Sequence, residues 1–187
     1  MLDAPPPVGC VKNCESFVLL PPIGAEIPQS YLSINTSMEY QGSTISVDFR
    51  GGIKDRVDVD RDDPENSVRL RTVGHKSSAE AEDGTALVLE QKDIDTEAPS
   101  TLKAVSKHPP KFAVRRVLQV TLSAGADNKI VAQTKADAPM VLTTTLTQWP
   151  PRGDLFQLES PVDLVDPEDE NIVVARLLKF PVKMGGL

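Results

Sequence analysis

Apolar residues alternate with polar ones along most of this 187-residue chain, and this alternation constrains the fold more than any other feature. Successive side chains of a β-strand point to opposite faces, so the pattern predicts strands that bury one face. The first run has apolar side chains on even positions: Leu32, Ile34, Met38 and Tyr40. After Gln41-Gly42 they fall on odd positions, which predicts a hairpin turn at the glycine: Ile45, Val47 and Phe49.

Later segments repeat the alternation, for example at Phe112, Val114, Leu118, Val120 and Leu122. Sixteen prolines divide the chain and oppose long helices. Only SSAEAED at residues 77–83 has a helical composition, and we expect there a short helix or a polar loop before a strand from Ala86 to Glu90. The predicted fold class is therefore all-β, a single antiparallel β-sandwich or flattened β-barrel of roughly ten short strands.

The N-terminus is rich in proline, which predicts a flexible tail over residues 1–14 and a single β-domain over residues 15–187. It lacks the basic start and apolar middle of a secretory signal, so we expect a cytoplasmic protein. The longest apolar run is far shorter than the roughly 20 residues of a bilayer span, so no membrane partner is expected. We interpret Cys10 and Cys14 as reduced thiols of the tail.

The net charge of −7 disfavours nucleic acid as a partner, because proteins that bind the phosphate backbone concentrate Lys and Arg. The sequence contains no P-loop, dinucleotide fingerprint, nucleophile elbow or H-E-x-x-H motif. No cofactor is therefore predicted, and the catalytic residues, if there are any, stay unknown.

The segment DRVDVDRDDPENSVRL at residues 55–70 places aspartates on alternate positions, like a calcium loop. It departs from the EF-hand template, since Asp63 stands where glycine must turn and Arg69 stands where glutamate must close the site. We expect Asp58 and Asp60 on one strand face, followed by an Asp-Pro-Glu turn, and no metal site. A similar run, VDLVDPEDENIVVARL, indicates either a corresponding hairpin or one turn solution used twice.

Three residues are candidates for a ligand site: Trp149, Tyr40 and His75. Trp149, the only tryptophan, would be a core anchor or the wall of a pocket. Tyr31 and Tyr40 differ in parity, so we expect only Tyr40 to face inward, where it could donate a hydrogen bond. His75 follows Gly74 at an expected strand end and could act as an acid or base, or lie on the surface.

Three segments carry a resemblance to a known group of proteins: QKDIDTEAPSTLKAVSKHPPKF, TQWPPRGDLFQLESPVDLVDPEDE and ARLLKFPVKMGGL. They resemble an uncharacterised family of bacterial, chiefly actinobacterial, β-rich proteins associated with natural-product pathways. The resemblance implies an accessory role in bacterial secondary metabolism and assigns no catalytic residue.

Two functional classes follow. The first is a binding or accessory domain for an apolar small molecule or a protein partner, and the second is a cofactor-free cyclase or isomerase with a β-walled cavity. An interior cavity lined by Trp149, Tyr40 or His75 would favour a ligand. A filled core would favour a structural or interaction role, through an exposed strand edge in a homodimer.

Overall fold

The computed structural model describes residues 20–92 and 99–186, and within them the secondary structure consists of strands without a helix. The N-terminal tail predicted over residues 1–14, with both cysteines, lies outside the described residues. The thirteen strands are β1 (Glu26–Tyr40), β2 (Ser43–Val59), β3 (Ser67–Glu80), β4 (Ala86–Gln91), β5 (Ser100–Lys107), β6 (Pro110–Leu118), β7 (Val120–Ala124), β8 (Lys129–Thr134), β9 (Met140–Leu146), β10 (Arg152–Leu158), β11 (Val162–Val165), β12 (Val173–Lys179) and β13 (Val182–Gly186).

All thirteen strands belong to one antiparallel sheet in the order β12-β11-β8-β7-β4-β3-β2-β1-β13-β10-β9-β6-β5. The two strands at the ends of this order also pair, β12 with β1 and β5 with β3. These pairings close the sheet, so the fold is a barrel. The all-β prediction is confirmed, although the strands outnumber the ten expected.

The shorter strands join in pairs that act as single interrupted strands. The C-terminal half of β3 pairs with β4, and its N-terminal half pairs with β5. In the same way, β4 pairs with β7 and β5 pairs with β6. This arrangement continues around the sheet to β12 and β13, which both pair with β1. The described strands thus form an eight-stranded up-and-down barrel, in which each strand pairs with its neighbours in chain order.

The two ends of the barrel differ in their connections. One end carries the loops at residues 60–66, 108–109 and 147–151, and we call it the Trp149 end. The other end carries the turns at residues 41–42, 81–85, 125–128 and 166–172, and we call it the Tyr40 end. Trp149 and Tyr40 therefore lie at opposite ends of the barrel.

A bulge in β1 makes the predicted facing of this strand wrong in its first half. The register to β2 shifts between Ser33 and Thr36, where β1 has one residue more than its partner. Asn35 adopts a φ of 58° there, and its backbone N–H donates to Asp48 Oδ1 at 2.8 Å. Because the extra residue reverses the parity, Tyr31 is buried while Ile34 is exposed, and both Tyr31 and Tyr40 face the interior.

The polar segment at residues 77–83 is not a helix, and only its last part is a loop. Residues 77–80 form the end of β3, where inward Ser77 is buried and Ser78 is exposed. The strand expected from Ala86 is confirmed as β4. The hairpin at Gln41-Gly42 is also confirmed, and the positive φ of both residues, 52° and 78°, suits a two-residue turn.

Both Asp-Pro-Glu segments are hairpin connections. The first joins β2 to β3 at the Trp149 end, and the second joins β11 to β12 at the Tyr40 end. Because they lie at opposite ends, they are not corresponding hairpins. Their positions support the other interpretation, in which the same kind of turn occurs twice. Beyond Val57 the expected alternation fails, because Val59 is exposed and Asp60 is buried where β2 ends.

The core lies in the interior of the barrel. The buried apolar side chains are mainly Leu and Val, and three aromatic rings pack together among them: Tyr31, Phe49 and Phe180. The centroid of the Phe180 ring lies 5.9 Å from each of the other two. In residues 20–92 and 99–186, no helix has the length and apolar character needed to cross a membrane.

Two adjacent glycines of β2 provide a test of how closely the strands approach. A Cβ built on Gly51 would lie 2.0 Å from the carbonyl oxygen of Lys76 on β3, whereas one on Gly52 would meet only the carbonyl oxygen of Gln29, at 3.5 Å. We expect Gly51→Ala to lower the midpoint of urea unfolding strongly, because the backbones of β2 and β3 must separate. Gly52→Ala is the matched control and should be tolerated. Equal effects would show that the close approach at Gly51 is wrong.

Candidate functional site

A charged and hydrogen-bonded group of side chains crosses the barrel interior, and we call it the Arg116 network: Gln29, Asp55, Thr72 and Arg116. Arg116 on β6 places Nη1 at 2.6 Å from Asp55 Oδ2 on β2, and both side chains are fully buried. Gln29 Nε2 donates to Asp55 Oδ2 at 3.0 Å, and Thr72 Oγ1 donates to Oδ1 at 3.1 Å. Arg116 Nη2 donates to Gln29 Oε1 at 3.2 Å. The network thus joins β1, β2 and β3 to β6.

Two aromatic rings contact the Arg116 guanidinium. Its Cζ lies 5.9 Å from the ring centroid of Trp149 and 5.6 Å from that of Phe156 on β10. Both distances fall within the range of a cation–π contact. Trp149 belongs to the loop between β9 and β10 and is only partly buried, so it covers Arg116 from the Trp149 end.

Tyr31 and His75 form a second polar pair beside the network. Their ring centroids are 4.7 Å apart and the rings are tilted by 59°. Burial, and to a lesser extent the positive charge of Arg116, lower the pKa of His75 from 6.5 to about 4, so its imidazole is neutral at pH 7. Burial raises the pKa of the Tyr31 phenol well above its usual value, and the Arg116 charge opposes this shift only partly.

Several buried polar atoms have no hydrogen-bond partner among the described residues: Tyr31 OH, His75 Nδ1 and Nε2, Ser77 Oγ, Arg116 Nε and Nη1, and Trp149 Nε1. All of them except Ser77 Oγ belong to Arg116 itself or to side chains that interact with it. For Nη1 this means that its 2.6 Å approach to Asp55 is an ion pair without hydrogen-bond alignment. Buried polar groups in native proteins are nearly always paired. The concentration of unpaired ones at this place therefore marks it as a candidate functional site.

The structure brings together two of the three predicted site residues and separates the third. The Trp149 ring contacts the Arg116 guanidinium, and the positive charge of Arg116 helps to lower the pKa of His75. Tyr40 lies at the opposite end of the barrel. His75 is not at a strand end, since it is buried in the middle of β3. A groove of about 430 Å³ between Pro28 and Glu90 borders His75, and one of about 330 Å³ between Glu39 and Arg176 borders Tyr40; Trp149 lies on neither.

The aspartates of the calcium-like segment are held by basic side chains. Arg71 Nε donates to Asp58 Oδ2 at 2.7 Å, and Arg69 contacts Asp60 at 3.1 Å and Asp62 at 2.9 Å. Desolvation is the largest single effect on the pKa of Asp60 and would raise it. Hydrogen bonds from Ser67, Asp62 and Arg69 together outweigh desolvation, so the pKa is lowered. These contacts explain the alternate aspartates by pairing across the β2–β3 hairpin. Within the described residues, no group of three or more His, Cys, Asp or Glu side chains is placed to hold a metal ion.

The sequence reasoning missed Arg116 and Asp55, although a signal for both was present. Arg116 occupies an even position in the run in which Phe112, Val114 and Leu118 face inward. Asp55 likewise lies between the buried Ile53 and Val57. A charged residue at an inward position of an alternating strand indicates a buried ionic group.

The comparisons with known proteins identify a shared fold. No family model and no curated protein matches the sequence. The chain is similar in structure to DynF from the dynemicin biosynthesis pathway of Micromonospora chersina, with a TM-score of 0.67 and 16% sequence identity over 97% of this chain and 92% of that chain. The shared fold agrees with the coarser part of the sequence resemblance, an architecture that also occurs in natural-product biosynthesis.

The Arg116–Asp55 pair should be strongly coupled. Asp55→Leu or Arg116→Met alone should lower the free energy of unfolding by about 3–5 kcal/mol, because each leaves a buried charge without its partner. The double variant should be more stable than either single variant in urea unfolding, since it removes both charges. Arg115→Met is the matched control, because Arg115 forms only an exposed pair with Glu159 at 3.2 Å. Additive losses in the double variant would contradict the coupling.

His75 should make the fold sensitive to acid. Its pKa is about 4 in the folded chain and 6.5 ordinarily, so the unfolded chain binds more protons between these values. Stability should therefore fall as the pH falls from about 6.5 to 4, by at most about 1.4 kcal/mol per pH unit from this group. His75→Leu should flatten the dependence in urea unfolding at several pH values. The same pH dependence in His75→Leu and in the natural chain would contradict this prediction.

Proposed function

We propose that the barrel binds an apolar small molecule in its interior, against the Arg116 network, and acts as an accessory protein of small-molecule biosynthesis. The observation that carries the proposal is the fully buried guanidinium of Arg116, whose Nε has no hydrogen-bond partner among the described residues, while Tyr31 OH and Trp149 Nε1 are unpaired there as well. These donors are grouped around one charge in an otherwise largely aliphatic interior.

The energetic cost of this arrangement supports a role in binding. A buried donor or acceptor without a partner destabilises a protein by about 1–3 kcal/mol. Replacing a buried ion pair with apolar residues is often neutral or stabilising, so folding alone does not require Arg116 and Asp55. A bound molecule that accepts hydrogen bonds from these groups would offset the cost.

Trp149 is the proposed entrance to the site. Its side chain lies on a loop, is partly exposed and covers Arg116. The barrel strands are fixed by pairing on both sides, whereas a loop side chain can turn away at lower cost. Arg116 is fully buried, so entry of a ligand requires such a displacement.

The biosynthetic context is supported by the fold shared with DynF, which belongs to the dynemicin biosynthesis pathway. A second candidate function, a cofactor-free isomerase or cyclase, is favoured by the contact between Tyr31 and His75. A neutral phenol could donate a proton to a carbonyl oxygen while the imidazole removes one from carbon. Binding is better supported, because an imidazole with a pKa of about 4 is a weak base.

The homodimer predicted from an exposed sheet edge stays a prediction. Closure of the sheet leaves no terminal strand among the described residues, since β12 and β5 pair with β1 and β3. A partner of this protein would therefore have to meet side chains of the outer surface.

Native mass spectrometry of protein purified from the organism that makes it should show a retained small molecule. Trp149 is the only tryptophan, so its emission should shift when the molecule is extracted and shift back when the extract is returned. Protein carrying both Asp55→Leu and Arg116→Met, which keeps the barrel but lacks the network, should retain little of the molecule. The bare chain mass, with Trp149 emission indifferent to the extract, would contradict the proposal.

A further inference from the structure

The charges and donors in the barrel interior restrict the kind of molecule that the site accepts. Among the described residues, the two fully buried charged side chains are Arg116 and Asp55, and they form an ion pair with each other. His75 is buried, and its imidazole is neutral near pH 7. The described interior around the network is therefore close to electrically neutral.

Another anion cannot readily replace Asp55 as the partner of Arg116. Its Oδ2 accepts from Gln29 and contacts Arg116, and its Oδ1 accepts from Thr72. A ligand carboxylate that took over the guanidinium would leave Asp55 buried without its counter-charge. The cost of that exchange is of the same kind as removing one partner of a buried ion pair.

The unused hydrogen-bonding capacity at the site consists mainly of donors. Arg116 Nε and Trp149 Nε1 carry hydrogens that can only be donated, and the Tyr31 phenol donates or accepts. The neutral imidazole of His75 offers one donor and one acceptor. A molecule that fits these groups must supply acceptors, and it must add no charge.

We infer that the ligand presents an uncharged hydrogen-bond acceptor, such as a ketone or quinone oxygen, to Arg116, Tyr31 and Trp149, and that the site rejects a carboxylate of the same shape. This inference rests on the proposed function and names the chemical class of its ligand. The rings of Trp149 and Phe156 beside the guanidinium suit a flat aromatic or conjugated body next to that oxygen.

Three probes of nearly equal shape test the inference: 2-acetylnaphthalene, 2-naphthoate and 2-ethylnaphthalene. Their affinities are measured by equilibrium dialysis against the full chain at pH 7.5. We expect the ketone to bind about 100-fold or more tightly than the carboxylate, because the carboxylate adds an uncompensated buried charge. The hydrocarbon should bind about tenfold more weakly than the ketone, because it leaves the donors unpaired. Equal or tighter binding of 2-naphthoate would overturn the inference.

Tyr31→Phe separates recognition of the oxygen from general apolar binding. It removes one donor that has no partner in the described part of the chain, so the barrel should remain stable. The affinity for 2-acetylnaphthalene should fall about fivefold, and that for 2-ethylnaphthalene should not change. Tyr40→Phe is the matched control at the opposite end of the barrel and should change neither affinity. An equal loss for both probes in Tyr31→Phe would contradict donation by the phenol.

Asp55→Asn should reverse the preference for charge. The substitution leaves Arg116 without a counter-ion, so 2-naphthoate should now bind and raise the melting temperature of the variant, whereas it should not affect the natural chain. Absence of this gain in folded Asp55→Asn protein would contradict the charge argument.

The retained molecule separates the two proposals. A retained molecule that carries a carboxylate would leave the proposed function intact and overturn the inference. A retained neutral ketone or quinone would support both, even if the naphthalene probes are too small to bind. No retained molecule and no binding of any probe would overturn the proposed function, and the inference with it.

Discussion

The ion pair between Arg116 and Asp55 is the interaction around which the polar groups of the barrel interior are arranged. It spans the interior from β6 to β2, and Gln29 and Thr72 extend it to β1 and β3. A charge buried this completely is tolerated only with a partner and with hydrogen bonds to its remaining atoms. Asp55 meets that requirement, whereas Arg116 meets it only in part, since within residues 20–92 and 99–186 its Nε has no hydrogen-bond partner. This asymmetry within one ion pair is what marks it as part of a candidate functional site rather than as a fully satisfied structural pair.

Two β-bulges decide which polar residues reach this interior. The extra residue in β1 near Asn35 lets Tyr31 and Met38 face the same side. A second bulge, where Val73 is the extra residue of β3, lets both Thr72 and His75 face inward. A regular strand would have turned one member of each pair to solvent. The bulges thus bring Tyr31 and His75 into contact with each other beside the Arg116 network. The pair and the network together form one candidate site.

The sequence was sufficient for the class of fold and for several local features. Alternation predicted the strands, the turn at Gln41-Gly42 and the strand from Ala86, and the failed calcium template predicted the β2–β3 hairpin. Closure of the sheet could not be predicted, because it depends on which distant strands pair. The bulges were missed, since one inserted residue leaves no mark in composition, although Asn35 is a residue type that tolerates its positive φ. For the candidate site, His75 and Trp149 were predicted from residue type, while Arg116 was missed beside its exposed neighbour Arg115.

The Trp149 ring both shields the candidate site from water and contacts the charge of Arg116. With its ring against the guanidinium, the indole provides a cation–π contact and covers the charge from the loop side. If that ring turns away, the interior is uncovered and the guanidinium loses this contact in the same motion. Under the proposed function, the motion that opens the site therefore also exposes its strongest donor, Arg116. A molecule without an acceptor gains access, but it does not replace the contact that Arg116 loses with Trp149. The barrel wall need not change, because the strands around it are paired on both sides and the moving part is a loop. Under the proposed function, selection by polarity therefore operates at the entrance as well as in the interior.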